Sequence, residues 1–246
     1  MLFEQAASAC DTADRARELL AQQGWVVVPQ HLLKDGPRVL LGHFGHIVPQ
    51  YNGQETWEVM VKPGFETVPY SQSSNGIGAH TEVPVGDPPP KYLALHCHRQ
   101  ARCGGGYTML ADGVRFCELH GGVERYSARE VEFIATPTPG SELRRTLRVP
   151  MLSRKGNSVI FRFSYNQFRY GDVNPSEDAI IAPDTALNRD PELVKLTDLA
   201  ELFFEDEGVA LLVPEGAMLI WDNHRMMHSR TQFEDKSRHL TRYWLA

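Results

Sequence analysis

Cysteine is scarce in this chain. Its 246 residues hold four, at positions 10, 97, 103 and 117, and no two have Cys-x-x-Cys spacing. So few scattered thiols exclude a disulfide framework and suit reduced cysteines in a cytoplasm. A basic surplus is lacking too: 25 lysines and arginines against 31 aspartates and glutamates leave a net charge of −6. Nucleic-acid binders usually carry a basic excess or stripe, so no nucleic-acid partner is expected. There is no apolar run long enough to span a bilayer, and residues 1–10 show no basic flank followed by an apolar stretch. Neither a membrane partner nor a secretory signal is therefore expected. Internal repeats, low-complexity tracts and linkers are also missing. These absences predict one cytoplasmic domain over residues 1–246 with a small-molecule substrate, and they leave self-association into a homo-oligomer open.

Against this background the triplet His80-Thr81-Glu82, matched late in the chain by His228, is the most informative feature. In a strand, side chains at i and i+2 point the same way, so His80 and Glu82 can grip one ion while Thr81 points away. Two imidazoles and a carboxylate on one face of a metal leave the opposite face open, the ligand set of non-haem Fe(II) oxygenases. A lone His-x-Glu is more often two residues on an exposed strand, so its surroundings decide. His224, four residues before His228, is the rival ligand. His96 and His98 form another same-face pair, but without a carboxylate they read as polar positions on a barrel strand.

The surroundings are specific as a set. Gly76-Ile77-Gly78-Ala79 leads into the triplet, Gly105-Gly106-Tyr107-Thr108 follows it, Asp222-Asn223 precedes His228 by a fixed interval, and Arg238 and Arg242 come after. With these pieces in this order the chain resembles the TauD/TfdA-like Fe(II)- and 2-oxoglutarate-dependent dioxygenases from about residue 75 onward. The glutamate in His-x-Glu resembles the clavaminate-synthase-like branch, although this chain is shorter.

The resemblance implies a mostly β fold with flanking helices around a double-stranded β-helix, the jelly-roll or cupin-like core. It implies Fe(II) held by His80, Glu82 and His228, 2-oxoglutarate as co-substrate and O₂ as oxidant. The resemblance favours His228 over His224, because four residues separate it from Asp222-Asn223. Thr108 matches the threonine that helps hold the co-substrate's distal carboxylate, and Arg238 matches the arginine that takes it. Arg242 matches the next arginine, close to the co-substrate or to the substrate's own anion. The two arginines lie about 13 Å apart by strand rise, so they do not share one carboxylate, and their roles could be exchanged.

The implied reaction is hydroxylation, with desaturation or ring closure as variants; halogenation is disfavoured because Glu82 occupies the position a halide needs. Candidate substrate contacts are Asn75, just upstream of the metal strand beside Ser73 and Ser74, and Arg162 and Tyr165 in an aromatic-rich stretch. With Arg242, Asn75 and Arg162 could fix the two ends of a zwitterion, and with the resemblance to the His-x-Glu branch this suggests a free amino acid or a small amino-acid-derived metabolite, in secondary metabolism. A sulfonate or aryloxy acid, or a cupin-like metalloenzyme that does not use O₂, is the alternative.

Periodicity and turn residues predict a helix from Asp11 or Thr12 to Gly24, then a strand at residues 25–28. Residues 29–75 read as loops around short strands, of which 46–75 could cover the site. Strands are predicted at 77–82, 91–98, 106–111, 131–134, 159–165, 208–213, 217–221 and 238–245. Helices are predicted at 118–127 and 191–204. Many short strands with few helices suit a barrel or jelly roll.

Overall fold

The hydroxyl of Thr12 accepts the backbone N–H of Arg15 at 3.1 Å and starts helix α1 (Ala13–Gln23). Gly24 ends it in the left-handed region, φ 85°, where a glycine is tolerated without a Cβ penalty. A Cβ at Gly24 would also stand 2.5 Å from the Met226 sulfur, so packing demands glycine as well. In this computed structural model, which describes residues 2–3, 10–139, 141–156, 158–181 and 190–246, two sheets follow from that start.

The first sheet runs in the order β2 (Trp25–Val28), β13 (Met218–Asp222), β6 (Tyr92–Arg99), β15 (His239–Leu245) and β3 (Ile47–Val48). A further strand, β4 (Thr56–Met60), also pairs with β15. β2 is buried throughout because both of its faces are covered. Val26 and Val28 pack outward with Leu20 of α1 and with Leu40 and Leu41 of α2 (Pro37–Leu41). Trp25 and Val27 face inward.

The second sheet runs β1 (Leu2–Phe3), β12 (Val209–Leu211), β7 (Thr108–Asp112), β14 (Met226–Arg230) and β5 (Ile77–His80). The β1–β12 pair is parallel and the rest antiparallel. Leu93, Leu95, Leu219 and Trp221 from the first sheet meet Leu110 and Leu211 from the second. Each fully buried leucine in this layer stabilises the fold by roughly 1.5–3 kcal/mol. The two sheets with the apolar layer between them form a jelly roll.

Helices cover the far side of the second sheet. α7 (Pro191–Glu207) is capped by Asp190, whose carboxylate accepts from the Glu192 and Leu193 amides, and it buries Leu196, Ala200 and Phe203. Phe203 packs with Phe116 of α3 (Gly113–Leu119), Phe163, and Phe168 of α5 (Tyr165–Tyr170). The connection between β7 and β12 supplies α4 (Val123–Ala128), the hairpin of β8 (Glu130–Ala135) with β9 (Arg145–Pro150), the hairpin of β10 (Leu152–Lys155) with β11 (Ser158–Phe161), and α6 (Glu177–Ile181).

Several expectations change. The helix expected over 118–127 is two, α3 and α4, separated by Gly121 and Gly122, both with positive φ. The strand expected over 159–165 ends at Phe161, and Tyr165 opens a helix instead. The strand expected over 77–82 stops at His80, so Glu82 lies beyond it. β14, which carries His228, had no counterpart among the expected strands. Its sequence Met-Met-His-Ser-Arg does not alternate as a half-buried strand should, because both faces are buried in the sandwich.

Candidate metal centre and active site

β14 and β5 pair antiparallel, and their register sets His228 directly opposite His80. Directly opposed residues hold their Cβ atoms about 5 Å apart, close enough for both imidazoles to reach one ion. The ring centroids are 4.0 Å apart. Glu82 arrives by another route. After His80 the Thr81 amide donates to the Phe163 carbonyl at 3.0 Å, while the Thr81 hydroxyl accepts the Phe163 N–H at 3.2 Å. The Glu82 amide then donates to Asn223 Oδ1 at 2.7 Å, and Asn223 Nδ2 donates back to the Glu82 carbonyl at 3.1 Å. Val83, the next residue, has φ 50°, a left-handed conformation unusual for a β-branched side chain and worth about 1–3 kcal/mol of strain. Asn223 therefore clamps a turn that the chain would otherwise relax.

The ligand atoms of His80, Glu82 and His228 all lie within 4.8 Å of one another, the one such group of His, Cys, Asp or Glu side chains among the described residues. The donor set fits a divalent ion with open positions on one side. His80 Nδ1 is 2.8 Å from the Gly78 carbonyl, which fixes it as the protonated nitrogen and leaves Nε2 with a free lone pair. Burial pushes the His80 imidazole pKa down, with Glu82 acting against it. Burial, then the charges of His80 and Arg242, hold His228 well below the usual range. Both rings are thus neutral, as metal ligands must be. His228 Nδ1 is buried and has no hydrogen-bond partner among the described residues. His224 is turned elsewhere, with Nε2 2.9 Å from the Pro89 carbonyl.

A cavity of about 170 Å³ opens on these three side chains. Thr108, Arg238 and Arg242 all line it. Arg242 is paired: Nη1 donates to Glu82 Oε2 at 3.0 Å and Nε to Gln50 Oε1 at 2.9 Å. Arg238 is not. Its side chain is buried, it makes no hydrogen bond or ion pair with any described side chain, and it lies against the Phe233 ring, 5.2 Å from its centroid. Burial lowers its pKa to about 10, which leaves it charged at neutral pH. An unpaired guanidinium facing a cavity is a site for a carboxylate.

The three expected substrate contacts do not line the cavity. Asn75 uses its amide on the Glu66 and Val68 carbonyls, tying its own loop together. Arg162 is buried but points into the turn after Glu82, donating to the carbonyls of Pro84 and Gly86 and to Ser153. Tyr165 packs its ring against Gly78, where a Cβ would stand 2.7 Å from the ring, and donates its hydroxyl to Glu201. All three support the walls of the site. His96 and His98 lie on the opposite side of β6 from Leu95 and Cys97, with His98 against Thr241.

Other lining residues were not anticipated. Arg230 follows His228 at i+2, opposite Thr108 in the β14–β7 register, and that spacing was a readable signal. Its guanidinium donates to the carbonyls of Tyr70, Ser71, Ser73 and Asn75, fastening residues 70–75 to the metal strand. Burial and the neighbouring Arg238 hold its pKa well below the guanidinium range. Tyr51 reaches in to place its hydroxyl 3.3 Å from Glu82 Oε1, and Tyr70 donates to the Pro137 carbonyl at 3.2 Å. Segment 46–75 thus supplies part of the cover over the site.

Among the described residues, no helix is long and apolar enough to cross a membrane. The chain matches the profile of the family described as taurine catabolism dioxygenase TauD, TfdA family, over residues 3–121 and 144–244. It is similar to dioxygenase str8 of Strobilurus tenacellus, 25% identical over 203 residues, which cover 80% of this chain and 44% of that protein. The chain therefore spans less than half the length of that relative. Among solved structures, an asparagine oxygenase in complex with Fe(II), 2S,3S-3-hydroxyasparagine and succinate superposes with a TM-score of 0.68 at 18% identity, covering 95% of this chain and 78% of that one. The non-heme iron oxygenase OrfP, in complex with Fe and alpha-ketoglutaric acid, gives 0.63 at 18% identity, with the same coverages. Likeness at these identities speaks for the fold.

Proposed function

The chain belongs to the TauD/TfdA dioxygenase family, and on that premise we propose that it catalyses Fe(II)- and 2-oxoglutarate-dependent hydroxylation of an aliphatic C–H bond in a free amino acid or a small amino-acid-derived metabolite. The observation that carries the reading is the convergence of His80, Glu82 and His228 on a cavity that also holds the unpaired cation of Arg238. A metalloenzyme that uses water or a single substrate has no need of that second feature.

When bound, Fe(II) supplies the oxidative decarboxylation of 2-oxoglutarate with O₂ and the removal of a hydrogen from the substrate. The residues of the chain do the rest. His80 presents Nε2 because Gly78 holds its other nitrogen, and Asn223 fixes the backbone from which Glu82 reaches in. Arg238 takes the distal carboxylate of 2-oxoglutarate, with the Thr108 hydroxyl as a second donor. Arg242 lies beside Glu82 and would compensate the charge of that carboxylate where the metal is held. Tyr51, Tyr70 and the residues tied down by Arg230 keep water from the site.

The amino-acid class is supported by the ligands bound in the similar structures, hydroxyasparagine in one and hydroxy-arginine in another. The test is anaerobic reconstitution with Fe(II) and 2-oxoglutarate, reading the metal-to-ligand charge-transfer absorption. O₂ and a panel of amino acids and their derivatives follow, reading succinate and substrate mass together. The absorption band, succinate and a product 16 mass units heavier are expected; His80→Ala, Glu82→Ala and His228→Ala should each abolish succinate while the circular dichroism stays native. Turnover without O₂, or full activity in Glu82→Ala, would overturn the proposal.

A further inference from the structure

The cavity wall draws on both main sheets, through Val59, Ile77, Leu95, Thr108, Trp221 and Ser229, and in part on segments outside them: residues 69–71, 83–84, 134–136, 164, 166 and 173–174. Their apolar contribution is Pro69, Val83, Pro84, Ile134, Ala135 and Val173. Their polar contribution is neutral, and includes Thr136, Ser164, Asn166 and Asn174. Among the described lining residues the one carboxylate is Glu82, and both its oxygens are engaged, Oε1 by Tyr51 and Oε2 by Arg242. The nearby charges that could have reached in are held outside. Arg162 is fastened to the carbonyls of Pro84 and Gly86, Asp87 is exposed beside it, and Glu201 takes the Tyr165 hydroxyl.

A zwitterion is poorly matched to such walls. Its ammonium would leave water for a site whose described lining residues offer no free carboxylate and which has the guanidiniums of Arg230, Arg238 and Arg242 on the same cavity. Desolvating an ion costs several kcal/mol and is offset only by a well-placed opposite charge. Its carboxylate would compete with 2-oxoglutarate for Arg238, since Arg242 is paired and Arg230 is bound to four backbone carbonyls. The walls do offer acceptors. Asn166 Nδ2 donates to the Val173 carbonyl at 3.1 Å, which fixes the orientation of the amide, and its Oδ1 has no partner among the described residues. Asn174 Nδ2 donates to Thr136 Oγ1 at 3.0 Å and likewise leaves its oxygen.

We propose that the substrate is an uncharged, largely apolar amino-acid-derived molecule, with its amine and carboxylate capped or absent, and that Asn166 accepts a hydrogen bond from an N–H or O–H on it. This rests on the oxygenase reading and narrows it. Within the class put forward above, it selects the derivative over the free amino acid.

The experiment uses the full chain loaded with Fe(II) and 2-oxoglutarate under anaerobic conditions. Formation of the charge-transfer band tests the oxygenase reading by itself. Three matched sets are then titrated while the shift of that band is followed: aliphatic and aromatic free amino acids, the same residues as N-acetyl amides, and small carboxylates and sulfonates of similar size. O₂ is admitted afterwards and substrate-dependent succinate is measured. The amides should shift the band and stimulate succinate at concentrations at least ten-fold lower than the free amino acids or the anions. Asn166→Asp should shrink that ratio, because the new carboxylate favours an ammonium. With the band formed, equal or better response to a free amino acid or an anion overturns the proposal, and so does a panel in which no uncharged compound shifts it. An unchanged ratio in Asn166→Asp removes the role given to Asn166.

Discussion

Arg242 donates from Nη1 to Oε2 of Glu82 across 3.0 Å, joining the last strand to the turn that carries the proposed carboxylate ligand. Both side chains are buried, so each is the other's countercharge. The pair explains how a carboxylate waits in an apolar sandwich before a metal arrives: Arg242 compensates it, and Gln50 steadies Arg242.

Removing Arg242 should therefore be costly while the metal is absent and less costly once it is present. Breaking a buried pair from one side costs about 3–5 kcal/mol. Arg242→Ala is expected to lower the melting temperature of the metal-free protein clearly. Added Mn(II), which is redox-stable in the assay, should recover most of the loss by taking over the charge of Glu82. Differential scanning fluorimetry with and without Mn(II) reads both; an equal deficit in the two conditions would show that the arginine acts through packing alone.

Arg238 should behave in the opposite way. It is a buried cation with no carboxylate partner among the described residues, so replacing it with methionine removes a charge that none of them compensates and keeps most of the volume. The melting temperature of the apoprotein should hold or rise. The 2-oxoglutarate requirement should increase by about thirty-fold or more, the equivalent of about 2 kcal/mol for a lost charge-assisted partner. Titrating 2-oxoglutarate against the charge-transfer band measures it. If Arg242→Ala raises the requirement and Arg238→Met does not, the two arginines exchange roles.

The meeting of His80, Glu82 and His228 was legible in the sequence because it is a matter of residue type and order, and the jelly roll because short strands alternate with turn residues. The route to Glu82 was not legible. Strand alternation predicts His80 and Glu82 on one face, yet the strand ends at His80 and a side chain from residue 223 holds the turn. The residues that line the cavity were the least legible. Arg162 and Tyr165 have the composition of a binding strand, but the chain turns into a helix at Tyr165 and sends both side chains into the walls. Whether a polar residue faces a cavity or a neighbouring carbonyl depends on tertiary packing, to which local periodicity is blind.

Acid should destabilise the protein in a way that His224 shares. Burial holds its imidazole pKa below the usual value, so the folded state keeps it neutral while the unfolded chain takes up a proton near pH 6.5. The unfolded state then binds more protons, and stability falls as pH drops below about 6.5 toward the lowered folded value. His224→Gln can keep a donor for the Pro89 carbonyl without titrating. Chemical denaturation at pH 7.5 and 5.5 should show a smaller acid-side loss for the variant than for the wild type; identical losses would mean that His224 takes up no proton on unfolding in this window.

Asn223 offers the sharpest test of how the site is positioned. It is fully buried, and its amide makes three hydrogen bonds: Oδ1 accepts the Glu82 N–H, and Nδ2 donates to the carbonyls of Glu82 and Pro90. Asn223→Ala leaves one buried donor and two buried acceptors without these partners and should cost about 3 kcal/mol. With the turn at Val83 no longer clamped, Fe(II) affinity should fall about 10–100-fold, the usual effect of losing a residue that orients a metal ligand. Asn223→Asp separates structure from charge. It keeps the acceptor for the Glu82 amide but turns a carboxylate oxygen toward two carbonyls, so it should fail as badly as alanine in both the melting temperature and the Fe(II) titration. A variant that keeps native metal affinity while losing stability would restrict Asn223 to holding the fold.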